Sequence, residues 1–336
     1  MKIIAEIGVN HNGSIDIAKN LIVAAKENGA DIVKFQTFKA EDNISRFAEL
    51  ADYQKTNMGM KKSQLELIKK YEFSNDAFIE LHDFCVKTEI SFLSTAFDIN
   101  ALKFLDNLNM PYIKIPSGEA TNLPLLEEIG QRNREVLLST GMCEFAEVVQ
   151  AIEMLENSGQ DRKKVTVLQC TSQYPASDNS INLNSMVSMG KKLGLPYGLS
   201  DHSRGITASV AAAALGATVI EKHITFDKND HGPDHKASID INELKNLFNE
   251  VKRVKDMLGE SEKKIQDEEK QTKLIARKSL VASKDLKEGH ALKLDDILIK
   301  RPGSGISPMR IYEVIGLRLT RDVKIDEVIK ESDIAT

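Results

Sequence analysis

Eight short apolar runs of the sequence end in, or are closely followed by, polar or charged side chains suited to a sugar or a phosphate. Hydroxyls, ammonium groups, carboxylates and imidazoles are all represented. Hydrogen bonding, charge neutralisation, proton transfer and metal binding are therefore all available at these positions. The side chains concerned are Glu6, Lys34, Thr95, Lys114, Ser117, Glu119, Ser139, Thr171, Ser200, His202, Glu221 and His223.

The eight runs have the spacing of strands in a (β/α)8 barrel. Segments with helical periodicity separate them, and strands that alternate with helices in this way form parallel sheets. Because the active site of such a barrel lies at the C-terminal ends of its strands, the polar groups fall where chemistry is expected. We therefore predict an α/β fold, a TIM (β/α)8 barrel, with strands at 3–9, 31–37, 90–97, 112–117, 135–140, 165–171, 197–202 and 218–225.

The domain organisation follows from the length and from one change in composition. Of the 336 residues, 1–259 suffice for the barrel, and the stretch 260–278 is dense in charged residues and reads as a linker. Short runs separated by Gly and Pro turns then predict a small β-rich domain at 279–336. A polar insertion at 38–70, which carries Met58-Gly59-Met60, should lie on the catalytic face as a loop or lid.

Composition excludes several classes of partner. A formal net charge of -5 argues against nucleic-acid binding and against binding to an anionic membrane. The longest run of small apolar residues, 208–220, is shorter than the roughly 20 residues that span a bilayer. Three scattered cysteines without C-x-x-C spacing suggest neither a disulfide framework nor a zinc site. We expect a cytoplasmic enzyme.

Strand periodicity predicts that four charged side chains point into the barrel. Successive side chains alternate between faces, and the outer face must be apolar to meet the helices. Lys34, Glu6, Lys114 and Glu221 then share the interior, where an unpaired charge is costly. Two lysines among hydroxyls favour a small dianionic ligand. A Lys–Glu ion-pair network that merely fills the mouth is the alternative.

Two histidines follow consecutive strands and are candidate metal ligands. Adjacent strands lie about 4.8 Å apart, so His202 and His223 could meet one divalent cation. Asp201 and Glu221 could orient their rings. The alternative is that both imidazoles bind substrate or core groups without metal. A Gly-Pro turn after the eighth run could aim Asp234 across the same mouth.

At these residues the sequence resembles the phosphoenolpyruvate-condensing sialic acid synthases, together with the related legionaminate and pseudaminate synthases. The similarity runs almost end to end, and the C-terminal segment is similar to their antifreeze-like (SAF) domain. It covers Ala5-Glu6-Ile7-Gly8-Val9-Asn10-His11-Asn12-Gly13-Ser14, Val33-Lys34-Phe35-Gln36-Thr37, Tyr112-Ile113-Lys114-Ile115-Pro116-Ser117-Gly118-Glu119, Leu138-Ser139-Thr140-Gly141-Met142, Gly198-Leu199-Ser200-Asp201-His202-Ser203, Glu221-Lys222-His223 and Lys300-Arg301-Pro302-Gly303-Ser304-Gly305-Ile306.

The resemblance implies roles for individual residues. His202 and His223 would hold Mn²⁺ or Mg²⁺, and Arg301 would reach the mouth of a partner subunit in a domain-swapped homodimer. Phosphoenolpyruvate would contact Lys34, Thr95, Lys114, Ser117, Ser139, Ser172 and Ser200, and the sugar would contact Glu6, Gln36, Tyr174 and Asp234.

The implied reaction joins phosphoenolpyruvate to an open-chain N-acylated mannosamine. Carbon 3 of phosphoenolpyruvate attacks the aldehyde carbon, polarised by the ion, water adds at carbon 2, and phosphate leaves with C–O cleavage. Glu6, Glu119 and Asp234 are the candidates for proton transfer, and our hypothesis gives Glu119 the water step.

The acceptor sugar remains open between N-acetylmannosamine and 2,4-diacetamido-2,4,6-trideoxymannose. Ala96 stands where many sialate synthases carry Pro, which resembles the legionaminate-type members. Phe38, Phe97 or the 38–70 insertion could line the sugar pocket. Besides a pseudaminate synthase, the alternatives are a Schiff-base keto-acid lyase that uses Lys34 or Lys114, and a binding module on an inactive barrel.

Overall fold

The computed structural model describes residues 1–48 and 63–335, and the chain divides into two compact units, Met1–Gly259 and Glu260–Thr336. In the described part of the first unit, eight parallel strands close into a barrel in chain order. These strands are β1 Lys2–Gly8, β2 Ile32–Thr37, β3 Ser91–Ala96, β4 Ile113–Ile115, β5 Val136–Ser139, β6 Val165–Cys170, β7 Tyr197–Asp201 and β8 Val219–His223.

Helices connect the strands and cover the outside of the barrel. Several begin at a side chain that accepts a backbone N–H, such as Ser14, Ser74 and Asp98, which satisfies an otherwise unpaired donor. The α-helices in the described residues of this unit are α1 Ile15–Glu27, α2 Ala40–Asn43, α3 Gln64–Ile68, α4 Asn75–Lys87, α5 Ile99–Leu105, α6 Leu123–Gly130, α7 Phe145–Asn157, α8 Leu183–Leu193, α9 Thr207–Ala214 and α10 Ile241–Leu258.

The barrel prediction is confirmed. Apart from Lys2, every strand residue lies inside the apolar run predicted for it. The strands are buried on both faces, as a parallel sheet covered by helices requires. Their outward side chains, such as Ile7, Phe35 and Leu199, join the helices in one continuous hydrophobic core. The inward side chains are therefore free to carry polar chemistry.

The insertion after β2 contributes a small core of its own. Within the described residues it contains α2, α3 and the short 3-10 helix Lys69–Tyr71. Leu67 and Tyr71 pack there against Val9 and Phe38, with Ile68 and Phe97 at the edge of the cluster. Met58-Gly59-Met60 lies outside the described residues.

The second unit is small and has its own core. It contains the antiparallel pair β9 Ser279–Ala282 and β10 Ile297–Lys300, with the helices α11 Glu269–Ala276 and α12 Ile311–Val314. Helix α11 lies in the stretch that its charge predicted to be a linker, and none of its residues is buried. Among the described residues of the chain, no helix combines the length and the apolar character of a membrane span.

Candidate active site

A cavity of about 580 Å³ opens at the C-terminal ends of the barrel strands. It is the place where the predicted site residues meet. Thirteen of the fifteen line it: Glu6, Lys34, Gln36, Thr95, Lys114, Ser117, Ser139, Ser172, Tyr174, Ser200, His202, His223 and Asp234. Of the other two, Glu119 does not line it, and Arg301 belongs to the second unit.

Strand register explains why the charged side chains meet. Glu6 of β1 pairs with Lys34 of β2, and Thr95 of β3 pairs with Lys114 of β4. Because side chains alternate along each strand, residues paired in this way point to the same side of the sheet. The inward direction expected for Lys34, Glu6, Lys114 and Glu221 is thus the one observed.

The buried charges form a network of ion pairs. The Lys34 Nζ lies 2.9 Å from the Glu6 Oε2 and 3.6 Å from the Glu221 Oε1. The Lys114 Nζ lies 3.6 Å from the other oxygen of Glu221. An ion-pair network and a ligand cavity are therefore not alternatives here, because the same side chains form the network and line the cavity.

The two lysines differ in how burial and neighbours act on them. Burial opposes the charged form of Lys34, but the carboxylates of Glu221 and Glu6 outweigh it and raise the pKa of this ammonium. Burial lowers the pKa of Lys114, and although Glu221 opposes this shift, the nearby charge of Lys34 adds to it. An anion bound beside Lys114 would therefore favour the charged form of this ammonium.

Hydroxyl groups lie beside these charges. Lys34 donates to the Thr95 hydroxyl at 3.1 Å, and Lys114 contacts the Ser139 hydroxyl. The Ser200 hydroxyl donates to Glu221 at 3.0 Å. Ammonium groups and hydroxyls in one cavity can together bind a phosphate ester or a carboxylate.

Two carboxyl groups of the cavity titrate near neutral pH. Burial raises the pKa of Glu6 to about 7, although Lys34 opposes the shift. Burial likewise raises the pKa of Asp234 to about 6, against the positive charges of His202 and Lys34. Groups with such pKa values can both accept and release a proton at physiological pH.

The two histidines lie side by side at the mouth. Their ring centroids are 5.5 Å apart, and the Tyr174 ring is 4.1 Å from that of His202. The His202 Nδ1 is 2.8 Å from the Thr171 carbonyl, which can only accept, so this nitrogen carries the proton. In the neutral ring the lone pair then lies on Nε2, the arrangement that a metal ligand needs.

The surroundings of His223 also suit a cation. Its Nδ1 is buried, has no hydrogen-bond partner among the described residues and lies 3.8 Å from the Asp234 Oδ2. Within the described part of the chain, no three His, Cys, Asp or Glu side chains surround one possible metal position. A cation held here would have two imidazole ligands and open positions for water or substrate, as catalysis requires.

The prediction that the Asp201 carboxylate orients a histidine ring by direct contact is wrong. Asp201 alternates with Ser200 and His202 along β7 and therefore points outward, where it pairs with Lys222 at 3.1 Å. Glu221 contacts Ser200 and the two lysines instead of an imidazole. The Thr171 carbonyl contacts the His202 Nδ1 instead, and the Cys170 Sγ lies 3.7 Å from the same nitrogen.

Glu119 is the predicted site residue of the first unit that does not line the cavity, and Arg301 belongs to the second unit. Glu119 ends a 3-10 turn after β4 and accepts a hydrogen bond from the Asn122 amide at 2.6 Å. Arg301 follows β10 in the second unit and is exposed. The first unit therefore brings together every predicted site residue that it contains except Glu119.

Further lining residues come from loops whose direction the sequence pattern did not indicate. Gln64 and Ile68 reach the cavity from α3, Phe97 follows β3, and Met142 and Gln173 follow β5 and β6. Of the two aromatic residues that the sequence suggests for the sugar pocket, Phe97 lines the cavity, whereas Phe38 packs against Phe97 with ring centroids 6.0 Å apart. The polar insertion at 38–70 is the sequence feature that indicates an additional element, α3, at this position.

Sequence comparisons identify two family matches. A model of the NeuB family matches residues 21–263, and a model of the SAF domain matches residues 277–335. An N,N'-diacetyllegionaminic acid synthase of Campylobacter jejuni is 46% identical over 329 residues, which cover 98% of each chain. One of Legionella pneumophila is 42% identical and covers 96% of this chain and 91% of its own.

A solved structure agrees with these matches. The crystal structure of an N-acetylneuraminic acid synthetase from Leptospira borgpetersenii serovar Hardjo-bovis, in complex with citrate, superposes with a TM-score of 0.71. It is 31% identical, and the match covers 80% of this chain and 89% of that one. The fold similarity thus extends over most of both chains.

Proposed function

The chain belongs to the NeuB family, and from that premise we propose that its barrel condenses phosphoenolpyruvate with an open-chain N-acylated mannosamine. The products are a nine-carbon keto acid and inorganic phosphate. The observation that carries this proposal is the convergence of Lys34, Lys114, His202 and His223 in one cavity. The two lysines could bind an anion and the two histidines a cation without any rearrangement of the strands.

Phosphoenolpyruvate binds at the lysine side of the cavity. Lys34 and Lys114 neutralise its carboxylate and phosphate. The ligand then replaces Glu6 and Glu221 as the partner of these ammonium groups. The hydroxyls orient it for attack from carbon 3. They belong to Thr95, Ser117, Ser139, Ser172 and Ser200.

The reaction forms a C–C bond, and at carbon 2 it exchanges the bond to the phosphate oxygen for a bond to the oxygen of water. Carbon 3 of phosphoenolpyruvate attacks the aldehyde carbon of the sugar, water adds to carbon 2, and the tetrahedral intermediate releases phosphate. Glu6 and Asp234 move the protons, because their pKa values of about 7 and about 6 suit exchange at neutral pH. Glu119, which accepts a hydrogen bond from the Asn122 amide and does not line the cavity, is less suited to the water step.

The histidines are suited to a divalent cation, Mn²⁺ or Mg²⁺. The free lone pair on His202 and the unpaired buried nitrogen of His223 support this assignment. When bound, such an ion would polarise the aldehyde oxygen as a Lewis acid. The Tyr174 ring lies 4.1 Å from that of His202 at an interplanar angle of 33° and limits the directions from which the sugar can approach.

The acceptor that we favour is 2,4-diacetamido-2,4,6-trideoxymannose, which would make the product N,N'-diacetyllegionaminate. Two relatives that share 46% and 42% of their residues with the chain carry that activity in their names. One wall of the cavity is also apolar, formed by Val9, Ile68 and Phe97. An apolar wall suits the methyl group of a 6-deoxy sugar better than a hydroxymethyl group.

The proposed assembly is a domain-swapped homodimer in the cytoplasm, in which Arg301 of the SAF unit completes the site of the other subunit. The dimer and the role of Arg301 are inferred from the resemblance to the sialic acid synthase family. Arg301 is exposed and its guanidinium is available for a carboxylate or phosphate. All three cysteines are free thiols, in keeping with a reducing compartment.

Steady-state kinetics with two sugars test the function. We expect phosphate release with 2,4-diacetamido-2,4,6-trideoxymannose at a kcat/KM well above that with N-acetylmannosamine. The reverse order would identify a sialate synthase, and turnover only of the altrose isomer would identify a pseudaminate synthase. Borohydride added during turnover should trap no adduct, whereas a trapped adduct on Lys34 or Lys114 would identify a Schiff-base lyase.

A further inference from the structure

A buried ion pair lies directly behind the two histidines. The Lys222 Nζ is 3.1 Å from the Asp201 Oδ2, and neither side chain has any exposed surface. Neither residue lines the cavity. The pair therefore does not touch substrate, although Asp201 immediately precedes His202 and Lys222 immediately precedes His223.

The register of the strands makes the two residues neighbours. Asp201 of β7 and Lys222 of β8 are Cα partners at the C-terminal ends of their strands. Alternation then points both side chains out of the barrel, toward α9, while both imidazoles point in. One contact outside the barrel thus joins the two strand ends from which the histidines project.

Further hydrogen bonds extend the pair to the loop and to α9. The Asp201 Oδ1 accepts from the Ser203 N–H at 2.8 Å and from the Ser203 hydroxyl at 2.6 Å. The Oδ2 accepts from the Ser209 hydroxyl of α9 at 2.6 Å. Lys222 in turn donates to the Ser203 carbonyl. All of these groups are buried, so the carboxylate has very little freedom to move.

Stability alone does not explain why two charged side chains occupy this buried position. A fully buried ion pair is often no more stabilising than apolar side chains of the same volume, because both charges lose their hydration. The surrounding α9 is rich in alanine, and an apolar pair would pack there. A charged pair instead fixes distance and direction at the strand ends.

We propose that the Asp201–Lys222 pair positions His202 and His223 for a shared divalent cation. Both are positioning residues, since they act only through the histidines that follow them. The inference depends on the metal site of the proposed function. Residues on the outer face of β7 and β8 would then influence the affinity of the site for that cation.

The test compares three variants of the full-length protein: Asp201→Asn, Lys222→Met and the double variant. Asn retains the shape and the Ser203 contacts of Asp, and Met fills the volume of Lys without its charge. Calorimetric titration with Mn²⁺ should give an affinity about 10- to 100-fold weaker in each variant, the usual cost of losing a group that orients metal ligands. The absorption bands of bound Co²⁺ should also shift, as changed ligand geometry requires.

The double variant separates positioning from stability. It leaves no unpaired buried charge, so its Tm should return toward that of the wild type while its Mn²⁺ affinity stays weak. Gln160→Met is the matched control, because Gln160 is buried and donates to the Arg134 carbonyl at 2.9 Å just before β6, at the opposite end of the barrel. It should lower the Tm without changing the Mn²⁺ affinity.

Two results would contradict different claims. Wild-type Mn²⁺ affinity and an unchanged Co²⁺ spectrum in folded Lys222→Met and in the double variant would overturn the positioning role. Mn²⁺ binding that is equal in the wild type and in His202→Ala would instead contradict the metal site of the proposed function.

Discussion

The Lys34 Nζ lies 2.9 Å from the Glu6 Oε2 on the neighbouring strand, although both side chains are almost completely buried. A buried ion pair gains little over its desolvation cost. It keeps the ammonium charged inside the barrel until an anion replaces the carboxylate. The cavity is thus prepared for a dianionic ligand before that ligand arrives.

Removing the ammonium of Lys34 should abolish most of the catalysis. For Lys34→Met we expect kcat/KM for phosphoenolpyruvate to fall by about 100- to 1000-fold, the usual loss when one preorganised charge stabiliser is deleted. Initial rates of phosphate release measure this. Lys39→Met is the matched control, since Lys39 is exposed two residues after β2, and it should retain the wild-type value. A near-normal rate in Lys34→Met would contradict the role of Lys34.

Activity should depend on the ionisation of Glu6. Burial raises the pKa of this carboxyl to about 7, so it is mostly protonated at pH 6 and mostly ionised at pH 8. We expect the ionised form to accept a hydrogen bond or a proton from the sugar. The kcat/KM for the sugar should therefore fall as the pH drops through about 7. The Glu6→Gln variant should be slow and should lack this inflection. An unchanged inflection in that variant would assign it to another group.

The apolar wall of the cavity should control the choice of sugar. Replacing Ile68 by Thr puts a hydroxyl where we expect the sugar methyl group to pack. The ratio of kcat/KM for the 6-deoxy sugar to that for N-acetylmannosamine should fall by about 10-fold or more. Ile79→Thr, on the exposed side of α4, is the control and should keep the wild-type ratio.

Mixing two inactive variants should restore activity if Arg301 acts on the partner subunit. Arg301→Ala has an intact barrel, and His202→Ala has an intact SAF unit. A mixed dimer contains one barrel with both groups, so after subunit exchange we expect about a quarter of the wild-type rate. If Arg301 acted within its own chain, the mixture would stay inactive.

Strand periodicity predicted the interior of the barrel well. The positions of Lys34, Lys114 and Glu221 follow from a period of two and from the need for an apolar outer face. The same rule, applied one residue further, would have placed Asp201 outside the barrel. Asp201 and His202 are adjacent in sequence, but adjacent strand residues face opposite ways, so the Asp201 carboxylate does not reach the ring of its neighbour.

The loops were less predictable for a physical reason. Glu119 lies in a 3-10 turn, where strand alternation no longer fixes the direction of a side chain. Ile68 and Gln64 reach the cavity through the packing of α3 against Val9 and Phe38. Such contacts join parts of the chain that are far apart in sequence, and no local pattern encodes them.

Metal reconstitution is the most direct test of the central claim. Protein treated with EDTA and incubated with phosphoenolpyruvate and 2,4-diacetamido-2,4,6-trideoxymannose should release no phosphate, and added Mn²⁺ or Mg²⁺ should restore release together with the keto-acid product. His202→Ala should not respond to either ion. Full phosphate release by the metal-free protein would contradict the account.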